Sequence, residues 1–135
     1  MKTIFEKIRD KEIPSYMIYE DDVSMAFLDI SQATKGHTLV VSKTAYENML
    51  ETPDDVVSHL FVVAKKIASV LKQSLQPKGF NILSNVGAVA GQTIFHVHIH
   101  VIPRYEEDDI SLAFHPNASD KNFDALLKSI QAALS

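Results

Sequence analysis

The sequence predicts an α+β fold, an antiparallel five-stranded sheet packed on one side by one long helix and a few short ones. Two observations carry that expectation. Apolar residues recur at three- and four-residue spacing between about 53 and 75, the period of a helix with one buried face. Elsewhere the apolar residues gather in short runs separated by brief turn-like connections, the pattern of strands in an antiparallel sheet. No internal repeat, low-complexity tract or linker interrupts the chain, so residues 1–135 read as one domain.

The elements follow in order. TIFEKIRD (3–10) places Ile4, Phe5 and Ile8 along one face of a short helix, and Pro14 marks its exit into extended chain. Residues 15–29 read as a hairpin, with Met17 to Tyr19 and Val23 to Leu28 as strands and Glu20, Asp21 and Asp22 as the turn. GHTLVVS (36–42) reads as a short buried strand. The long helix is expected to start with Thr52 as N-cap, Pro53 at its first position and Asp55 completing a capping box. Val56, Leu60, Val63, Ile67, Val70 and Leu71 form its apolar stripe, and Pro77 with Gly79 ends it. Residues 79–86 and 94–102 read as adjacent antiparallel strands joined by the loop GAVAGQT (87–93). EEDD (106–109) reads as a solvated loop, and an amphipathic helix capped by Ser119 or Asp120 closes the chain.

Composition narrows the function classes. The 135 residues are 46% hydrophobic and 22% charged, enough for a real core. A net charge of −4 gives no general case for nucleic-acid or membrane binding. Cysteine is absent, which excludes disulfides, thiolate metal ligands and a cysteine nucleophile. The charged N-terminal stretch has no apolar signal-peptide core, and a cytoplasmic location is the expectation.

The stretch FHVHIHVIPR (95–104) carries the chemistry. In a strand, His96, His98 and His100 share one face, with rings about 6.5–7 Å apart along the backbone, while Val97, Ile99 and Val101 face the core. The plain reading is a row of polar residues on a half-exposed sheet face. Strict alternation disfavours it, because imidazole has no strand propensity that would cluster it. A metal site is a second reading, but the third ring lies too far along the strand to close one shell, and no carboxylate partner stands in the run. Nucleophilic catalysis is the third. A neutral imidazole whose other nitrogen donates to an acceptor attacks well, and a neighbouring ring can donate to an anionic oxygen. Gly87 and Gly91 in the preceding loop allow close backbone approach, and Gln92 and Thr93 offer neutral donors. His37 is a further imidazole near a strand start.

These residues resemble a known family. HVHIHVI matches the His-φ-His-φ-His-φ-φ signature (φ apolar) of the histidine triad superfamily. KIRDKEIPSYMIYEDDVSMAFLDISQATKGHTLVV is similar to the N-terminal half of its Hint branch, and NILSNVGAVAGQTIFHVHIHVIPR to the catalytic half. The likeness covers residues 3–105, leaving 106–135 as a less diagnostic loop and helix.

The resemblance implies a homodimer with the sheet continued across it. It also implies a nucleotidyl hydrolase or transferase acting on purine nucleoside phosphoramidates or acyl-AMP without a metal or cofactor, releasing AMP or GMP. It makes His98 the nucleophile, has His100 contact the α-phosphate, gives His96 a supporting role, and sets His37 behind the nucleophile. Asn85, Gly91, Gln92 and Thr93 match residues around the phosphate and leaving group. Asp29, with Ile30 beside it, matches the ribose-binding acid, although a strand-ending turn residue is its plain reading. Ile4, Phe5, Ile8, Ile13 and Phe27 match the apolar base pocket, although read alone they are core.

Departures are equally visible. Many relatives hold a structural zinc with a Cys-x-x-Cys and a histidine, where this chain has Thr3, Glu6 and Ala45, so that site is expected to be absent. Pro103-Arg104 also occurs in Fhit-like dinucleoside polyphosphate hydrolases, which remain an alternative. A nucleotide-binding regulatory protein with vestigial catalysis is another. His59 and His115 receive no role.

Overall fold

The computed structural model describes residues 1–116 and 121–135. The chain runs through α1 (Ile4–Arg9), β1 (Met17–Glu20), β2 (Ser24–Leu28), β3 (Thr38–Ser42), α2 (Asp54–Leu75), β4 (Gly79–Leu83), β5 (His98–Arg104) and α3 (Phe123–Leu134). All neighbouring strands are antiparallel, and their order is β1-β2-β3-β5-β4. The crossover through α2 therefore leaves β5 inside the sheet, between β3 and β4.

Helix α2 lies on one face. Leu60, Val63, Ala64, Ile67, Ala68 and Leu71 bury against Ala26, Val40, Val97, Ile99 and Val101. Two alanines thus take places in the stripe, and Val70, expected to be buried, is 49% exposed. The helix also starts one residue later than its sequence suggests. Pro53 is the cap position without a side-chain bond, because the Thr52 hydroxyl donates instead to the Asn48 carbonyl at 2.7 Å. Asp54 and Asp55 in the first turn still complement the helix dipole. At the other end Gln76 turns left-handed before Pro77.

Helices were expected on one side of the sheet, but α1 covers the opposite face. Its Phe5 and Ile8 pack on Met25, Phe27, Leu39 and Val41, whose side chains alternate with those facing α2. This short helix is stabilised locally by a complete capping box: the Thr3 side chain accepts from the Glu6 N–H, and the Glu6 carboxylate accepts from the Thr3 N–H. The expected β1–β2 turn is held by Asp21, whose carboxylate accepts from the Val23 and Ser24 N–H groups and from the Tyr19 hydroxyl.

Strand boundaries also differ from expectation. Strand β5 begins at His98 rather than 94, since Val97 N–H donates to the Tyr46 carbonyl at 2.7 Å instead of joining a ladder. Strand β4 stops at Leu83 rather than 86, where the Ser84 hydroxyl donates to the His98 carbonyl. The acidic stretch 106–109 is the solvent-facing loop expected, closed into a turn at Asp109. Asp109 accepts from Arg104 Nε and from the Tyr105 and Glu106 N–H groups, which hold its carboxyl down at about 2.

The C-terminal helix α3 is capped by Asn122, whose side chain accepts from the Ala125 N–H. The expected caps Ser119 and Asp120 lie outside the described residues. No residue of α3 is buried, so its apolar stripe of Phe123, Leu126, Leu127, Ile130 and Leu134 faces outward. Among the described residues no helix is long and apolar enough to cross a membrane.

Candidate active site around the histidine row

Sheet register delivers the site. Leu39 pairs with His100 and Val41 with His98, so the β5 histidines lie on the face covered by α1. His37 stands two residues before Leu39 and continues that face, and Asp29 does the same beyond Phe27. Asp29 N–H donates to the His37 carbonyl at 3.0 Å, which sets these two residues side by side. The loop between them turns at Gly36, where φ is +96° and a Cβ would sit 2.6 Å from Leu75 Cδ1.

The row is more buried than a half-exposed face. His96 is fully buried, His98 is 8% exposed and His37 is 5% exposed, with His100 partly open. The His98 and His100 ring centroids are 5.0 Å apart, closer than backbone spacing alone gives, because the rings tilt toward each other. Phe5 presses an edge-on contact to His98 at 5.0 Å and to His96 at 5.3 Å.

Hydrogen bonds decide which nitrogen of each neutral ring carries the proton. His98 Nδ1 donates to the His96 carbonyl at 2.7 Å, so its Nε2 keeps an unprotonated lone pair. His37 Nδ1 accepts the Ala33 N–H at 3.1 Å, so its proton is on Nε2 and points at His100 Nδ1, 3.0 Å away. His100 Nδ1 is then an acceptor, and its Nε2–H is a donor. His96 Nε2 donates to the Ser42 carbonyl at 2.6 Å, leaving its Nδ1 to accept from the Thr3 hydroxyl at 2.7 Å. The result is one basic nitrogen on His98 beside one N–H donor on His100.

Burial keeps the rings neutral. Desolvation disfavours the imidazolium and lowers the pKa of His37, His96 and His98, with the Asp29 carboxylate opposing it at His37 and His98. His100 falls furthest, to about 4, through burial and the neighbouring His98 and His37 rings. At neutral pH the His98 lone pair is therefore available without a base to unmask it.

The other expected residues divide. His37 bonds to His100 rather than directly to His98, so it steadies the donor ring. Asp29 lies 3.7 Å from His37 Nε2 and also accepts the Ser31 N–H, while Ile30 beside it is 85% exposed. The Gln92 side chain is spent internally: Oε1 accepts the Gly87 N–H, and Nε2 donates to the Glu47 and Ile94 carbonyls. Its contribution is to shape the loop, and Thr93 next to it is exposed. Gly91 has φ +103°, and Asn85 Nδ2 would meet a Cβ there at 3.5 Å, which sets Asn85 against the loop. Of the apolar set, Phe5, Ile8 and Phe27 are core, Ile13 is half-buried, and Ile4 is 46% exposed. Thr3 and Ser84 were not read as site residues. No local pattern marks them, because their partners lie 93 and 14 residues away.

The donor atoms of Asp29, His37 and His100 lie within 4.8 Å of one another, a group able to hold a metal ion. The His37 and His100 nitrogens involved already bond to each other, so an ion there would have to replace that bond. Of the three residues that the resemblance set against relatives' zinc ligands, Thr3 and Glu6 form the capping box of α1, and Ala45 is an exposed alanine.

Comparison with known proteins agrees with this architecture. A family model described as HIT domain matches residues 10–107. The chain is 49% identical over 106 residues to Protein hit of Bacillus subtilis, covering 78% of this chain and 73% of that one. It is 36% identical over 135 residues to the adenylylsulfatase HINT3 of Arabidopsis thaliana, covering 97% of this chain and 68% of the relative. A crystal structure of a HIT family member from Bacillus subtilis superposes with a TM-score of 0.90 at 40% identity, covering 100% of this chain and 99% of that one. The histidine triad nucleotide-binding protein of Candida albicans superposes at 0.82 with 33% identity, covering 99% and 100%.

Proposed function

The chain belongs to the HIT domain family of nucleotide-binding hydrolases and transferases, and from that premise we propose that it cleaves purine nucleoside 5′-phosphoramidates or acyl-AMP through a nucleotidyl-histidine intermediate. The observation that carries the reading is the hydrogen bond from His98 Nδ1 to the His96 carbonyl, which leaves Nε2 as the one basic ring nitrogen facing a donor ring.

In the first step the His98 Nε2 lone pair attacks the α-phosphorus in line. The P–N bond to the amine breaks as its nitrogen takes a proton from solvent water, and the neutral amine leaves. In the second step water attacks the same phosphorus, the P–Nε2 bond breaks, AMP or GMP departs, and the water's surplus proton goes to solvent. His100 Nε2–H donates to a phosphoryl oxygen as charge grows on it, a role in which a preorganised donor gains most. His37 holds that donor's direction. The Thr93 hydroxyl and backbone, with Asn85 and the open backbone at Gly91, border the phosphate and leaving group, while Gln92 keeps their loop in shape. Asp29 accepts from the ribose hydroxyls with Ile30 alongside. Ile4 and Ile13 line the base side, backed by Phe5, Ile8 and Phe27.

A second copy completes the assembly. Among the described residues strand β4 pairs with β5 alone, and its outer edge carries no strand. Beside it a groove of about 390 Å³ is lined by Phe61, Ala64, Ala68, Phe80 and Ile82, with Lys65, Ser69 and Lys72 also in its wall. An open edge flanked by apolar side chains suits pairing with its own copy, which extends the sheet across a two-fold axis.

The substrate class is tested by a panel of adenosine 5′-phosphoramidate, lysyl-AMP, adenylyl sulfate and a dinucleoside tetraphosphate. Preference for the first two supports the reading. Preference for the tetraphosphate would favour the Fhit-like alternative, and preference for adenylyl sulfate would align the chain with its plant relative. Tight AMP binding without turnover of any substrate would indicate a regulatory protein.

A further inference from the structure

Residue 3 and the catalytic strand are joined by a bond that the mechanism above does not use. The Thr3 hydroxyl lies 2.7 Å from His96 Nδ1. Its oxygen already accepts the Glu6 N–H at 3.1 Å as part of the α1 capping box. Its own proton is thereby directed to His96, whose Nδ1 must accept because Nε2 donates to the Ser42 carbonyl. His96 is fully buried, and solvent has no access to replace a lost partner. The carbonyl of the same residue receives His98 Nδ1–H at 2.7 Å.

We propose that Thr3 is a positioning residue for catalysis, donating to the His96 Nδ1 that the Ser42 bond leaves unprotonated, so that the ring stays in its Nε2–H form and the His96 carbonyl holds His98 with Nε2 exposed for attack. Helix α1 is the device that delivers it. Arg9, at the other end of this helix, donates to the Lys43 carbonyl at 2.7 Å, one residue past the Ser42 carbonyl that His96 uses. The six-residue helix is therefore pinned at its start to the triad's own His96 and at its end to Lys43, just past β3. Phe5, between these pins, packs edge-on against both His96 and His98. A single hydroxyl thus caps a helix and satisfies the buried ring nitrogen that the Ser42 bond leaves as an acceptor.

The inference rests on His98 being the nucleophile, so its test needs a readout that does not depend on turnover. Three variants separate the two tasks of the hydroxyl. Thr3→Ser keeps both. Thr3→Asp keeps an excellent cap acceptor but cannot donate to Nδ1 when ionised. Thr3→Val loses both. Ring ¹⁵N–¹H correlation spectra report the tautomers of His96 and His98 in the substrate-free protein, and steady-state kinetics separate kcat from KM.

The expected result is that Thr3→Asp remains folded, loses the single Nε2–H form of His96, shifts the His98 Nδ1 signal, and lowers kcat about tenfold with KM little changed. Thr3→Ser should restore both readouts. Wild-type tautomers and wild-type kcat in Thr3→Asp would overturn the proposal. If the wild type turned over no nucleotide substrate, the catalytic reading would fall, and unchanged ring tautomers would separately overturn the positioning of His96 and His98.

Discussion

His37 Nε2 lies 3.0 Å from His100 Nδ1, and the Ala33 N–H behind His37 fixes the direction in which that proton points. Removing His37 leaves a partly buried nitrogen without its donor and frees His100 to take the other tautomer. His37→Ala should therefore lower kcat/KM for adenosine 5′-phosphoramidate by about tenfold, the worth of one such bond. His100→Ala should produce at least that loss, and the double variant little more than His100→Ala alone. Additive losses would show that His37 acts on something other than His100.

Stability should fall on the acid side. The unfolded histidines titrate near 6.5, whereas burial lowers all of His37, His96, His98 and His100, the last to about 4. Between these values the unfolded chain binds more protons than the folded one, so stability rises with pH there. The contribution is fully present above pH 6.5 and is lost as pH drops toward 4. Urea midpoints measured from pH 7.5 to 4 should decline through that window. His100→Asn should flatten the decline, and a variant with an unchanged slope would contradict the neutral assignment of His100.

Gly36 tests the scaffold beneath the site. Its left-handed φ strains any side chain, and a Cβ would meet Leu75 at 2.6 Å and Pro103 at 3.3 Å. Gly36→Ala should destabilise the fold by about 1–3 kcal/mol, measured by denaturant unfolding. Because His37 is the next residue, turnover should fall more than a distant substitution of equal cost would cause.

The dimer reading is tested at Ile82, which is 42% exposed on the open edge strand. A carboxylate there would meet its own copy across the axis. Ile82→Glu should sediment as a monomer at concentrations where the wild type is dimeric, and a monomeric wild type would contradict the reading.

Much of this fold was legible because period and punctuation agreed. Most of the α2 stripe (though not Ala64 and Ala68, nor the exposed Val70) and the inward Val97, Ile99 and Val101 followed from spacing, and the β1–β2 turn from its acidic run. What was hidden depended on long-range bonds. The start of β5 moved to His98 because Tyr46 captured the Val97 N–H, and the expected cap of α2 turned its hydroxyl back to Asn48. Shared faces brought the histidines into one row, but tautomers could not be read from alternation. They follow from Ala33, Ser42 and Thr3, residues that no local motif ties to the triad. Gln92 shows the converse: a side chain matched by family pattern to the phosphate instead bonds within its own loop and ties that loop to Glu47.

The central claim is that His98 Nε2 becomes bonded to the nucleotide. Rapid quench of wild-type protein mixed with adenosine 5′-phosphoramidate into denaturant at alkaline pH, where a P–N bond to imidazole survives, followed by peptide mass spectrometry without acid, reads this directly. The account predicts an adenylyl group on the peptide spanning 95–104, localised to His98, absent in His98→Ala and accompanied there by loss of turnover with the fold retained. An adduct on another residue, or full turnover in His98→Ala, would contradict it.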